Sequence, residues 1–317
     1  MASGEQTPIL TLTVNPALDL ATGVDRLVPR IKLRCDAPQD DAGGGGVNVS
    51  RAIHALGGQS RALVALGGAM GEKHFHLMRA EGLSVERLPL VGETRFSVLL
   101  EDRASGEYYR LVMPGPTVDK DEGKRLFASI AAAIAGGALV VGSGSLLPGL
   151  TPDFYGRVAA AARVRGAKMI VDTHGDAMKA AINYRPWLIR LNHIEAADLT
   201  GRDDGADLNS ARLVAQGAAE IAVVADGENG SVVAFEGGQF RVRPVKVAVK
   251  GMVGAGDSYV AALTLALARG QDLETANRWG VAAAASAVSA EGTGLCTREG
   301  TEALFRALPP THWISKA

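Results

Sequence analysis

The sequence predicts a three-layer α/β/α sandwich with a small inserted β-sheet, and three observations carry that expectation. Short apolar runs of β type alternate with Ala-rich segments of helical spacing along most of the 317 residues. Two stretches, 20–41 and 94–113, break the alternation and read instead with a period of two. Glycine-rich turns follow several of the apolar runs, at the carboxyl ends where α/β sheets bind their ligands.

In chain order, residues 9–14 (ILTLTV), 62–66 (ALVAL), 138–142 (ALVVG), 169–172 (MIVD), 187–191 (WLIRL) and 221–225 (IAVVA) read as short buried strands. Helical spacing runs through 47–57, 73–81, 120–136, 152–165, 207–219, 257–269 and 273–289. That order predicts a parallel sheet covered by helices on both faces. In the stretches 20–41 and 94–113, Phe96, Val98 and Leu100 alternate, as do Tyr109, Leu111 and Met113. They read as paired antiparallel strands forming a small projecting sheet, which acts as a lid or buries its apolar face against a second copy. With no linker, repeat or low-complexity tract, one domain over 1–317 is expected.

Composition narrows the function. The 33 Lys and Arg balance 34 Asp and Glu, for a net charge of −1, and no basic block is present. Phosphate-backbone binding needs clustered cations and single-strand binding needs aromatic platforms, so Phe 7, Tyr 5 and Trp 3 argue against a nucleic-acid partner. No apolar run reaches the roughly 18 residues of a membrane span, and the start MASGEQTPILTLTV lacks the pattern of a signal peptide. Cys35 and Cys296 form no disulfide framework, so a cytoplasmic setting is expected. The complete G-x-x-x-x-G-K-[ST], G-x-G-x-x-G, H-E-x-x-H and G-x-S-x-G patterns are all missing, and the six histidines do not cluster.

Several local patterns remain. Val253-Gly254-Ala255-Gly256-Asp257-Ser258 opens directly onto an apolar helix. Glycines there let backbone N–H groups converge on an anion at the helix N-terminus, with the Asp257 carboxylate beside it. A base next to such an anion hole is what phosphoryl transfer to a hydroxyl requires; equally, an Asp caps helices. Gly43–Gly46 followed by Asn48 runs into a second helix, where bare backbone suits a flat polar ligand and Asn48 is either its amide contact or a cap. Gly142-Ser143-Gly144-Ser145 follows a strand, and Asp172 closes another. Asn192 and Glu195 read both as a capping box and as an outer anchor for Mg²⁺, which keeps several of its waters. On the lid, Lys32 and Arg34 alternate with Ile31 and Leu33 and so share one side of a strand; Arg95 and Arg110 lie on the other segment. Four cations there form either a solvated face or a phosphate site.

Taken together, Asn15-Pro16-Ala17-Leu18-Asp19, GGGGVNVSRAIHALGG, GSGSLLPG, Asn192-x-x-Glu195 and VGAGDS resemble the ribokinase-like (PfkB) family of sugar kinases, from about residue 9 to 300. KLRC at 32–35 and YRLVMPG at 109–115 resemble its sugar-phosphate branch, and the all-glycine run 43–46 resembles the minor-type 6-phosphofructokinases. Branch members acting on fructose 1-phosphate or tagatose 6-phosphate more often carry Lys in place of Gly45. The resemblance implies an ATP-dependent, Mg²⁺-assisted kinase that phosphorylates the 1-hydroxyl of fructose 6-phosphate. Rival acceptors are those two other sugar phosphates, and a non-catalytic sugar-phosphate sensor is the rival of another class. It implies Asp257 as base, with Gly254, Ala255 and Gly256 as the anion hole. Asp19, Gly44 and Asn48 would hold the sugar hydroxyls. Lys32, Arg34 and Arg95 would hold the acceptor's phosphate, with Ser145 nearby. Arg190, Asn192 and Glu195 would serve the Mg-nucleotide, Glu195 through water, and Gly227 and Gly230 would border the nucleotide loop. A homodimer through the lid is also implied. Departures fall on the donor side: Arg190-Leu191 stands for the usual Lys-Pro, Met252 for Thr, and Ala225 for Ser or Thr. A count of 24 Arg against 9 Lys makes the swap at 190 unsurprising.

Overall fold

The computed structural model describes residues 6–251, 254–290 and 294–316; the departure at Met252 lies outside them. Ten strands form one mixed sheet in the order His312–Lys316, Gly238–Val242, Ser231–Phe235, Ile221–Ala225, Leu188–Asn192, Lys168–Asp172, Leu139–Ser143, Ile9–Thr13, Arg61–Leu66 and Ser84–Pro89. The seven from Ile221–Ala225 to Ser84–Pro89 run parallel. The first three add an antiparallel end to the expected parallel sheet.

The apolar runs are continuous because both faces of the central strands are covered. Within Leu139–Ser143, Val140 belongs to a core that includes Leu12, Leu63, Val171 and Ile189. Its neighbour Val141 belongs to the opposite core, with Ile170, Val223 and Val233. That second core takes in the helix Ala255–Ala268, which packs against both Gly45–Ala55 and Leu273–Val288. Ala and Leu give Ala255–Ala268 strong helix propensity. Gly254, at φ 79°, supplies the left-handed turn that starts it, and Gly270, at φ 74°, follows its end.

Four strands form the inserted sheet, in the order Gln39–Gly43, Ala17–Val24, Arg95–Asp102 and Glu107–Val112. Its two outer pairs are antiparallel as expected, but the central pair, Ala17–Val24 with Arg95–Asp102, is parallel. The expected strand through Ile31–Arg34 does not form. Residues 25–38 carry no ladder, and Lys32 and Arg34 are exposed. Alternation alone could not make a strand where no neighbouring strand accepts the backbone; Arg30, at φ 68°, interrupts the run just before it.

Candidate active site

The two glycine turns converge because the helices they open pack side by side. Gly45–Ala55 and Ala255–Ala268 both begin at the carboxyl edge of the large sheet. There Asn48 Nδ2 donates to Asp257 Oδ2 at 2.9 Å, across 209 residues of sequence. Asp257 sits in the first turn of its helix, beside the N–H groups that the helix leaves unpaired. Burial raises its pKa to about 7, and the negative charge of Asp172 adds to the rise; the Asn48 hydrogen bond and the charges of Arg190 and Arg110 oppose it.

Asp172 closes the strand Lys168–Asp172 and accepts from Ser143 Oγ at 3.1 Å. Arg190, on the adjacent strand, reaches its Oδ1 at 3.5 Å. The same guanidinium lies over the Gly254–Gly256 turn: a Cβ on Gly256 would stand 3.0 Å from Arg190 Nη1. Arg190 also faces the Tyr259 ring at 6.0 Å, and its Nε is buried without a hydrogen-bond partner. Asp257, Asp172 and Arg190 therefore form one charge cluster at the mouth of the helix. In the sequence Asp172 is only a strand end; its closeness to Asp257 arises from sheet order.

On the small sheet, Asp19 pairs in register with Ser97, whose hydroxyl hydrogen-bonds to its carboxylate. Asp19's pKa is raised, chiefly by burial, against the pull of Ser97, Arg110 and Arg95. A Cβ on Gly43 would overlap that carboxylate, so the carboxylate lies against bare backbone. Gly44, at φ 126°, turns the chain from the small sheet into the helix. A Cβ on Gly45 would meet Ser143 Oγ and the backbone N of Gly144 at 2.9 Å, so the GGGG and GSGS turns are pressed together. Asn15 Nδ2 donates to Ser145 Oγ and to the Leu146 carbonyl, both at 3.1 Å. Arg95 is half-buried and donates to the carbonyls of Met113, at 3.1 Å, and Asn15, at 3.2 Å. Lys32 and Arg34 have no ion pair among the described residues and stay apart from this cluster in the exposed coil.

The donor-side residues lie along the carboxyl ends of the next strands. Asn192 and Glu195 form the complete capping box: Glu195 N donates to Asn192 Oδ1 and Asn192 N to Glu195 Oε2, each at 2.8 Å. Gly227 and Gly230 frame the short turn Gly227–Asn229, both with positive φ, after the strand that ends at Ala225. Among the described residues no group of three acidic, His or Cys side chains is gathered as a metal cage.

The family model for pfkB carbohydrate kinases matches residues 14–299. The chain belongs to that family. The ATP-dependent 6-phosphofructokinase isozyme 2 of Mycobacterium tuberculosis is 37% identical to this kinase over 309 residues, which cover 96% of this chain and 91% of that one. The crystal structure of phosphofructokinase-2 from Escherichia coli in complex with fructose-6-phosphate aligns with a TM-score of 0.88 at 36% identity, over 95% of this chain and 99% of that one. The tetrameric inhibited form of the same Escherichia coli protein aligns at 0.89, with 36% identity and the same coverage.

Proposed function

We propose that this pfkB-family kinase transfers the γ-phosphoryl group of ATP to the 1-hydroxyl of fructose 6-phosphate, giving fructose 1,6-bisphosphate. The observation that carries the reading is the Asn48–Asp257 contact at the mouth of helix Ala255–Ala268. It holds a carboxylate, with a pKa of about 7, next to a helix N-terminus. Asp257 takes the proton of the acceptor hydroxyl as it attacks, and the N–H groups of Gly254, Ala255 and Gly256 hold the charge of the phosphoryl group in flight. Asn48 keeps the carboxylate aimed. A sensor has no need of such a base.

For the acceptor, Asp19 and Asn48 supply carboxylate and amide groups for sugar hydroxyls, with Gly44 as bare backbone. Arg95 supplies positive charge for the phosphate from within this cluster, with Ser145 at its edge; Lys32 and Arg34, exposed on the coil 25–38, would add theirs only by moving onto the bound acceptor. The all-glycine run 43–46 supports fructose 6-phosphate over its rivals, since kinases for those sugars more often carry Lys in place of Gly45; here a side chain at Gly45 would displace Ser143 and Gly144. Small-sheet closure over the acceptor would exclude water, which limits hydrolysis of ATP; in this reading residues 1–317 act as one kinase unit and the small sheet as its lid.

For the donor, Arg190 supplies positive charge beside the transferring group, and Gly227 and Gly230 leave room for the nucleotide. Mg²⁺, when bound, neutralises phosphate charge. Asp172, at the end of strand Lys168–Asp172, and Glu195, in the first turn of the helix after the neighbouring strand, fit a hydrated ion of that kind, since Mg²⁺ retains waters and takes one or two protein carboxylates. Capping engages Glu195 Oε2, which suits contact through water rather than direct ligation. Both cysteines are free thiols, consistent with a reducing cytoplasm.

The test is ADP release from Mg-ATP with fructose 6-phosphate, fructose 1-phosphate, tagatose 6-phosphate and fructose in parallel. Fastest turnover with fructose 6-phosphate is expected. Preference for another phosphorylated sugar would overturn the choice of acceptor, and activity on fructose alone would remove Lys32, Arg34 and Arg95 from their roles.

A further inference from the structure

The strand that carries the chain into the glycine run is fastened to the body by side chains. Lys73 pairs with Asp40, and Arg51 Nη2 lies 3.7 Å from Asp41 Oδ1. Arg51 Nη1 approaches the Ala42 carbonyl at 3.5 Å, and His74 Nε2 approaches the Gly43 carbonyl at 2.9 Å. Four consecutive residues, 40 to 43, are thus tied to two body helices, Gly45–Ala55 and Gly68–Ala80.

His74 is the anomalous member of this set. It is fully buried, on the helix whose neighbour Met78 packs with Ala42 and Val47. Burial first, and then the charge of Arg51, lower its pKa to about 4, so the ring is neutral near pH 7. A carbonyl only accepts, so the contact with Gly43 places the ring proton on Nε2. Nδ1 is left buried with no hydrogen-bond partner. A packing role alone would favour an apolar side chain over an imidazole with one orphaned nitrogen. What His74 contributes that leucine cannot is the Nε2–H donor.

That donor is spent on the first glycine of the run. Gly43 is the residue whose missing Cβ leaves space for the Asp19 carboxylate, and its carbonyl fixes the peptide plane leading into Gly44. We infer that His74 is a positioning residue of the acceptor site: by holding the Gly43 carbonyl it sets the orientation of the Gly43–Gly44 peptide against Asp19. The inference rests on the sugar-phosphate reading above.

Three variants test it, each assayed for KM of both substrates, kcat and thermal melting. His74→Leu keeps bulk without a donor; His74→Gln keeps an amide N–H at about the reach of Nε2; His74→Asn carries the same amide one methylene short. The Leu and Asn variants are expected to raise the KM for fructose 6-phosphate about tenfold, with the KM for ATP within about twofold of wild type. The Gln variant is expected to recover most of the loss. Should Leu fail to fold, the Gln–Asn pair carries the comparison. Unchanged acceptor KM in folded Leu or Asn variants, or a Gln variant as impaired in KM as Asn, would overturn the inference. Wild-type enzyme runs alongside: if it ignores fructose 6-phosphate, the acceptor reading fails, and the same KM comparison proceeds on whichever sugar it does use.

Discussion

Asp257 is held where its ionisation is costly. Burial and Asp172 raise its pKa to about 7, far above the value of 3.8 in an unfolded chain. As the acceptor of a proton it must be ionised, so kcat/KM should fall as pH drops through about 7. Asp172→Asn removes the neighbouring negative charge, lowers the pKa of Asp257 and should move that acid limb to lower pH; an unmoved limb in a pH–rate profile would show that Asp172 does not tune the base. Asp257→Asn should cost about 10²–10⁴-fold in kcat while sugar binding persists. The stability sign is the reverse. A carboxyl whose folded pKa is raised stabilises the fold below the unfolded pKa and loses that contribution as pH rises through about 7. The Asn variant should therefore melt above wild type at pH 8, with the gap closing toward pH 4. A variant that melts lower at pH 8 would mean that the hydrogen bond from Asn48 outweighs the burial of charge.

At the level of elements, the contact between the GGGG and GSGS turns makes a direct prediction. A methyl group at residue 45 meets backbone as well as a hydroxyl, so Gly45→Ala must push the helix start away from Ser143–Gly144. We expect a loss of about 1–3 kcal/mol in unfolding experiments, typical of overpacking, together with a raised KM for the sugar phosphate. Unaltered KM would separate this turn from acceptor binding. The elements plain in the sequence are continuous, mostly apolar runs buried on both faces, such as Leu139–Ser143 and Ile221–Ala225. Ser231–Phe235 and Gly238–Val242, mixed with Ser, Gln and Arg, did not stand out although they are largely buried. Ser84–Pro89 and His312–Lys316 escaped because they are edge strands, half open to water and mixed in composition. The alternation at 31–34 misled as a strand signal, because it reports which side a residue would face, not whether a partner strand exists. Within the site, Gly254–Asp257 and Asn48 were legible because glycine before a helix is a local signal. Asp172, Ser97 and His74 were not, since each matters through a partner 29 or more residues away in sequence: Ser143, Asp19 and Gly43.

For the whole molecule, the small sheet divides its two faces between chemistry and association. Register puts Asp19 with Ser97, and Ala21 with Leu99 and Arg110, on the face toward the acceptor site. The opposite face carries Leu20, Val98 and Leu111 in one row and Thr22, Leu100 and Tyr109 in the next. Near the body this back face is closed by Leu18 and Ala42, but at the outer strand Tyr109 is 42% and Leu111 49% exposed. An apolar sheet face ending in an open edge strand is a surface that natural proteins cover. The homodimer through the lid that the family resemblance implies would cover it, back face to back face, since a self-complementary patch closes into a two-fold dimer. Sedimentation equilibrium should then give at least twice the mass of one chain, and Leu111→Asp should shift it to smaller species by burying a charge without a partner. The dimer would also hold the lid in place over the acceptor, so the same variant should raise the KM for fructose 6-phosphate more than that for ATP. Wild-type protein sedimenting at the mass of one chain, or a Leu111→Asp variant that keeps its full assembly, would remove this face as the interface.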